Sequence, residues 1–114
     1  MSAITTHVLD LALGRPARGM QVKLEVMQSG GRWVTLAERE TDADGRVKDL
    51  LDAGAKLDAG FYRLTFLTGL YFNLLGVRTF YPEIPVLFEI RDADQHHHVP
   101  LLLSPFGYST YRGS

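Results

Sequence analysis

Met20-Gln21-Val22-Lys23-Leu24-Glu25-Val26 reads apolar, polar, apolar, polar without a break. Side chains on an extended backbone alternate between two faces. Met20, Val22, Leu24 and Val26 therefore fall on one side, and Gln21, Lys23 and Glu25 on the other. The stretch is a strand with one face toward a core and one toward water. The same period recurs on either side of it. Ser29, Gly30 and Gly31 interrupt the chain, and Trp33-Val34-Thr35-Leu36 resumes with residues that suit a pleated surface. Asp42-Ala43-Asp44-Gly45 is then a turn, because Asp-Gly between strand-like runs favours a tight reversal. Residues 61–66 and 86–90 add two more strands, and 4–11, 99–103 and 108–111 complete the set. About seven short strands at spacings of about ten residues predict a β-sandwich.

One segment departs from the period of two. Residues 70–76, ending in Leu74-Leu75-Gly76, suit two turns of helix with Gly76 as the stop. Residues 50–60, Leu-Leu-Asp-Ala-Gly-Ala-Lys-Leu-Asp-Ala-Gly, are turn-rich. No repeat or low-complexity tract divides the chain, so residues 1–114 are expected to form one domain.

Composition narrows the function classes. The chain has 114 residues, 46% hydrophobic and 22% charged, as in a folded globular protein. Its formal net charge is −1, and its 12 basic residues form no run, so nothing attracts nucleic acid or an anionic membrane. With no cysteine there is no disulfide framework, thiol nucleophile or Cys-based metal site. The first residues carry no basic leader, and no apolar run approaches the roughly 20 residues of a membrane span. A cytoplasmic location is the expectation.

Histidines are the first candidates for chemistry, since imidazole titrates near neutrality. On a strand, His7 shares a face with Thr5 and Leu9; a half-exposed strand histidine would look the same. In His96-His97-His98 the outer two share one face and His97 takes the other. A solvated turn, a metal site and a catalytic imidazole all fit this triplet. A zinc site would need a third ligand, from His7 or a carboxylate, and no spaced motif supports it. Arg46 leaves the Asp-Gly turn, where exposure is the ordinary fate. Tyr111 and Arg112 offer an aromatic ring and a guanidinium for a flat, anionic ligand, although a plain terminal strand would read alike. The serines lack a G-x-S-x-G setting, and the glycines lack a phosphate-loop pattern.

The closing segment, His97-His98-Val99-Pro100-Leu101-Leu102-Leu103-Ser104-Pro105 through Tyr111-Arg112-Gly113-Ser114, closely resembles the transthyretin-like proteins that hydrolyse 5-hydroxyisourate. The resemblance extends over nearly the whole chain: Thr6-His7-Val8-Leu9-Asp10, the Asp44-Gly45-Arg46 turn, Gly60–Phe66 and Phe80-Tyr81-Pro82-Glu83. The terminal Tyr-Arg-Gly-Ser is its most specific part. The middle histidine of the triplet, often aromatic in this family, is the one departure. The resemblance implies a transthyretin-like sandwich of two antiparallel sheets with one short helix around 70–76. It implies a homotetramer, a dimer of dimers with active sites in a channel between subunits, and no metal or organic cofactor. The implied reaction opens the ring of 5-hydroxyisourate by water attack on a carbonyl beside nitrogen, giving 2-oxo-4-hydroxy-4-carboxy-5-ureidoimidazoline. His7, Arg46, His98 and Ser114 take catalytic roles by this resemblance, and His7, Arg46, Tyr111 and Arg112 bind substrate. Arg112 is expected to pair with the Ser114 carboxylate and lock the tail, so a C-terminal tag should do more harm than an N-terminal one. A transthyretin-like carrier without catalysis is the alternative; such a carrier should lack the His7, Arg46 and His98 combination.

Overall fold

A computed structural model describes residues 2–114. The strands expected from the alternation are present, and each is bounded by the breaks that the sequence marks. β1 (Ile4–Asp10), β2 (Arg15–Pro16), β5 (Arg46–Val47), β8 (His97–Ser104) and β9 (Gly107–Thr110) form one sheet. β3 (Gln21–Gln28), β4 (Arg32–Glu40), β6 (Gly60–Phe66) and β7 (Ile84–Ile90) form the other, in the order β4-β3-β6-β7. The core lies between them. Ile4, Val8, Leu101 and Leu103 of the first sheet meet Val22, Leu24, Leu64 and Phe66 of the second, all fully or nearly fully buried. At about 25 cal/mol per Å² of apolar area, side chains of this size each gain about 1.5–3 kcal/mol on burial.

Two features of the topology differ from the sequence expectation. β1 pairs with β8 in parallel, from Ile4 against His97 to Asp10 against Leu103, so the first sheet is not wholly antiparallel. The intervening chain runs through the second sheet before it returns, which leaves a parallel approach open. The Asp42–Gly45 turn is also no hairpin. It carries the chain from β4 of one sheet to β5 of the other, where β5 pairs with β1. The short strands β2 and β5 fall outside the expectation because two residues carry no period.

α1 (Thr68–Leu74) begins two residues before the expected helix, and Gly76 follows it at φ +69°. Its Tyr71 donates a 2.8 Å hydrogen bond to Asp10, whose other carboxylate oxygen accepts from the amides of Ala12 and Leu13. Burial first, then Asp10, pushes the Tyr71 hydroxyl up to about 12. Asp10 thus ties the helix and the β1–β2 turn to the sheet. Among the described residues, no helix is long and apolar enough to cross a membrane.

Candidate active site

β1 alternates in facing: Ile4, Thr6, Val8 and Asp10 point into the core, while Thr5, His7 and Leu9 share the opposite face, where Thr5 is covered and the other two are half-buried. Register then fixes who stands beside them. Thr5 lies opposite His98 on β8, and His7 lies opposite Arg46 on β5. His98 and Arg46, 52 positions apart in the sequence, are thereby brought to one face by a single strand between them. Thr5, Arg46, Lys48, His96, His98 and Ser114 line an open cleft of about 440 Å³ there.

The turn that delivers Arg46 is held from both sides. Asp42 accepts hydrogen bonds from the amides of Asp44 (2.9 Å) and Arg46 (3.0 Å), and the latter bond chiefly lowers its carboxyl below the usual value. β1 grips the turn's other edge: the amide of Val8 donates to the Gly45 carbonyl at 2.7 Å, and the His7 ring reaches the Asp44 carbonyl at 2.8 Å. A carbonyl only accepts, so Nε2 of His7 carries its proton and donates it. In neutral His7 the lone pair is therefore on Nδ1.

His98 is half-buried, and its Nδ1 lies 2.8 Å from the hydroxyl of Thr5. With Nδ1 spoken for, Nε2 is the nitrogen that can face a ligand. Burial, then the charges of Arg46 and His7, hold this imidazole below its ordinary pKa, so the ring is neutral at neutral pH. The C-terminal tail lies against it. The amide of Gly113 donates to the His98 carbonyl at 2.8 Å, forming an isolated bridge that continues the sheet.

Not every expected site residue joins this group. Because the tail runs antiparallel across His98, Arg112 comes to lie beside the 95–96 loop. Its guanidinium donates to Gln95 (3.0 Å) and to the His96 carbonyl (3.4 Å), not to the Ser114 carboxylate. Ser114 instead lines the cleft with Arg46 and Lys48. Tyr111 is 56% exposed and lines a separate cavity of about 250 Å³ with Val86, Phe88 and His97. His97 is 5% exposed, on the same side of β8 as the buried Val99 and Leu101. Its Nδ1 has no hydrogen-bond partner, and burial, then the charge of Arg112, lowers its pKa. Among the described residues, no three His, Asp or Glu gather to hold a metal. Thr5 and Lys48 are cleft residues that the sequence reading passed over. Thr5 was legible as a neighbour of His7 on one strand face, whereas Lys48 carries no local signal.

The architecture and sequence have close counterparts. The model of the HIUase/Transthyretin family matches residues 4–113. A 5-hydroxyisourate hydrolase 2 from Rhizobium meliloti is 49% identical over 97% of this chain and 95% of its own. A 5-hydroxyisourate hydrolase from Caulobacter vibrioides is 47% identical over the full length of both. Among solved structures, the 5-hydroxyisourate hydrolase of Klebsiella pneumoniae superposes with a TM-score of 0.83 at 40% identity, covering 97% of this chain and 98% of that one. Sea bream transthyretin in complex with thyroxine gives 0.92 at 30% identity, covering 98% and 95%. With its sandwich, its histidine–arginine face and a match from residue 4 to residue 113, the chain belongs to the HIUase/Transthyretin family.

Proposed function

We propose that this chain hydrolyses 5-hydroxyisourate to 2-oxo-4-hydroxy-4-carboxy-5-ureidoimidazoline, a step in urate degradation. The observation that carries the reading is His98 set with Arg46 on one open sheet face, its Nδ1 held by Thr5 and its Nε2 left for a ligand. Relatives at 47–49% identity bear the name of this hydrolase. The carrier alternative is not favoured, because a passive apolar channel has no use for that pair.

Opening a ring at a carbonyl–nitrogen bond requires a base for the attacking water, a donor for the developing oxyanion and an acid for the departing nitrogen. Nε2 of His98 takes the proton of water, since its depressed pKa leaves the lone pair free. Arg46 receives the planar, anionic substrate and stabilises charge on the carbonyl oxygen. His7, with Nε2–H fixed on the Asp44 carbonyl, orients the water or the ring. The Ser114 carboxylate balances Arg46 and Lys48 in the cleft.

The working form is a homotetramer, a dimer of dimers. β7 and β9 end their sheets with open edges, and Phe80, Leu87, Phe106, Tyr108 and Tyr111 are exposed on or near those edges. In such an assembly Tyr111 of a neighbouring copy completes the substrate site that one chain leaves open. The test is spectrophotometric. 5-Hydroxyisourate is generated from urate by urate oxidase, and its absorbance decay is followed with and without the protein. Decay well above the spontaneous rate is expected; an unchanged rate would return the carrier to first place.

A further inference from the structure

Thr5 has one hydroxyl and two imidazoles on it. Its Oγ1 lies 2.9 Å from Nε2 of His96 and 2.8 Å from Nδ1 of His98. A hydroxyl owns a single proton, so it donates to one ring and must accept from the other. The protonation of one ring therefore dictates that of its partner. The rings lie nearly parallel, 6.4 Å apart at 19°, and Thr5 is only 6% exposed. A bulk water cannot easily substitute for that hydroxyl.

We propose that Thr5 is a proton-relay residue linking His98 to His96, so that the charge created when His98 accepts a proton comes to rest on His96. The inference rests on the hydrolase reading of this cleft. Before the step, Nδ1–H of His98 donates to Thr5, the Thr5 hydroxyl donates to Nε2 of His96, and His96 holds its own proton on Nδ1. Nε2 of His98 then takes a proton from the attacking water. Its Nδ1 proton passes to Oγ1 of Thr5, and the hydroxyl's former proton passes to Nε2 of His96. One proton has entered, each bond broken is matched by one formed, and the hydroxyl is regenerated. His98 is again neutral, with Nε2–H facing the substrate, while His96 is an imidazolium. When Nε2–H goes to the departing nitrogen, the two transfers run back through Thr5, so that Nδ1 of His98 regains its proton and both rings end neutral.

The electrostatics favour that direction. On its own, an imidazolium at His98 would be half-buried and face Arg46 from β5 and His7 from β1, with Lys48 on the same cleft. Burial, Arg46, His7 and His96 oppose charge there, the hydrogen bond with Thr5 favours it, and the Ser114 carboxylate shares the cleft. His96 is exposed, so water solvates the charge, although Arg112 on its carbonyl is a nearby cation. Thr5 is a positioning residue in this scheme, since it acts through His98.

Three variants test the relay. Thr5→Val keeps the β-branched shape and removes the hydroxyl, Thr5→Ser restores the hydroxyl, and His96→Gln removes the terminal acceptor at an exposed position. Turnover of 5-hydroxyisourate is measured from pH 5.5 to 8.5, with thermal melts as the folding control. Without the relay the proton must stay on His98 beside Arg46, which makes it a weaker base. Thr5→Val and His96→Gln should lower the kcat plateau about tenfold or more, a part of the roughly 10²–10⁴-fold that a placed acid–base group supplies. Both should also move the acidic limb of kcat to lower pH, with KM little altered, and Thr5→Ser should recover most of both losses. A limb that stays at the wild-type pH in either variant would overturn the relay, whatever the plateau does. If Thr5→Val does not fold, His96→Gln alone decides. The ¹⁵N shifts of the rings in substrate-free protein near pH 8 give a readout that does not depend on the reaction. Protonated Nδ1 on His98 supports the relay, and protonated Nε2 there contradicts it. Failure of the wild type to speed decay would instead strike the hydrolase reading.

Discussion

Gly113 has no side chain to place, and the position of His98 depends on that. A Cβ on Gly113 would stand 2.5 Å from Cδ2 of His98, closer than real contacts allow, and a tight 3.1 Å from Pro100. Only glycine lets the tail lie flat on the imidazole while its amide reaches the His98 carbonyl. Gly113→Ala should push tail and ring apart, lowering kcat about tenfold or more while costing about 1 kcal/mol or less of stability at this partly exposed site. Steady-state kinetics beside a thermal melt separate the two, and wild-type kcat would show that ring and tail part without consequence. The histidines also set an acid limit. Burial holds both His97 and His98 below the ordinary imidazole pKa. The unfolded chain therefore binds more protons than the folded one once the pH drops below about 6.5, and stability falls from there until the lowered values are passed. The Tm should drop between pH 7.5 and 5, and His97→Phe, which removes a buried proton site and an unpartnered Nδ1, should lessen that drop. An equally steep fall in the variant would take His97 out of the account. Neither role was legible in the sequence: Gly113 appears there as one letter of a signature, and His97 as the middle of a triplet, because both depend on what packs against them.

The elements divide by how local their causes are. β1, β3, β4, β6, β7, β8 and β9 were readable because a period of two and flanking breaks are written in adjacent residues. The parallel pairing of β1 with β8 was not, since it joins segments about 90 residues apart and leaves no local pattern. The Asp42–Gly45 turn was visible as a turn but not as a crossing between sheets, because turn residues report φ and not destination. Its glycine is constrained twice: φ is +74°, and an added Cβ would collide with the Val8 carbonyl. That carbonyl accepts from Ala17, and Val8 donates to Gly45, so β1, β2 and the turn are locked together. Gly45→Ala should cost about 1–3 kcal/mol and displace Arg46 from its place opposite His7. Denaturant unfolding together with KM checks this: a stability within about 0.5 kcal/mol of wild type would mean that the turn relaxes freely.

At the scale of the molecule, the sandwich buries one face of each sheet and leaves the outer face of the β1–β8 sheet for chemistry. The site borrows from four separated stretches: β1, the turn into β5, β8 and the tail. His7, Arg46 and the histidine triplet stood in the sequence as undecided candidates, which the family resemblance resolved to His7, Arg46 and His98, and their meeting on one face follows from the β1 register. Tyr111 and Arg112 lie elsewhere in a single chain, which is where the proposed assembly enters. Sedimentation at working concentration should give four chain masses, and Leu87→Glu, at a residue 62% exposed on open β7, should lower that number without unfolding the chain. A monomeric wild type with full activity would remove Tyr111 of a second copy from the site. The central claim is that His98 supplies the base in the hydrolysis of 5-hydroxyisourate. Its most direct test is the decay of freshly generated 5-hydroxyisourate with equal amounts of folded wild type and His98→Ala at pH 7.5. The account predicts acceleration by the wild type and a loss of about 10²-fold or more in the variant; equal acceleration by both would contradict it.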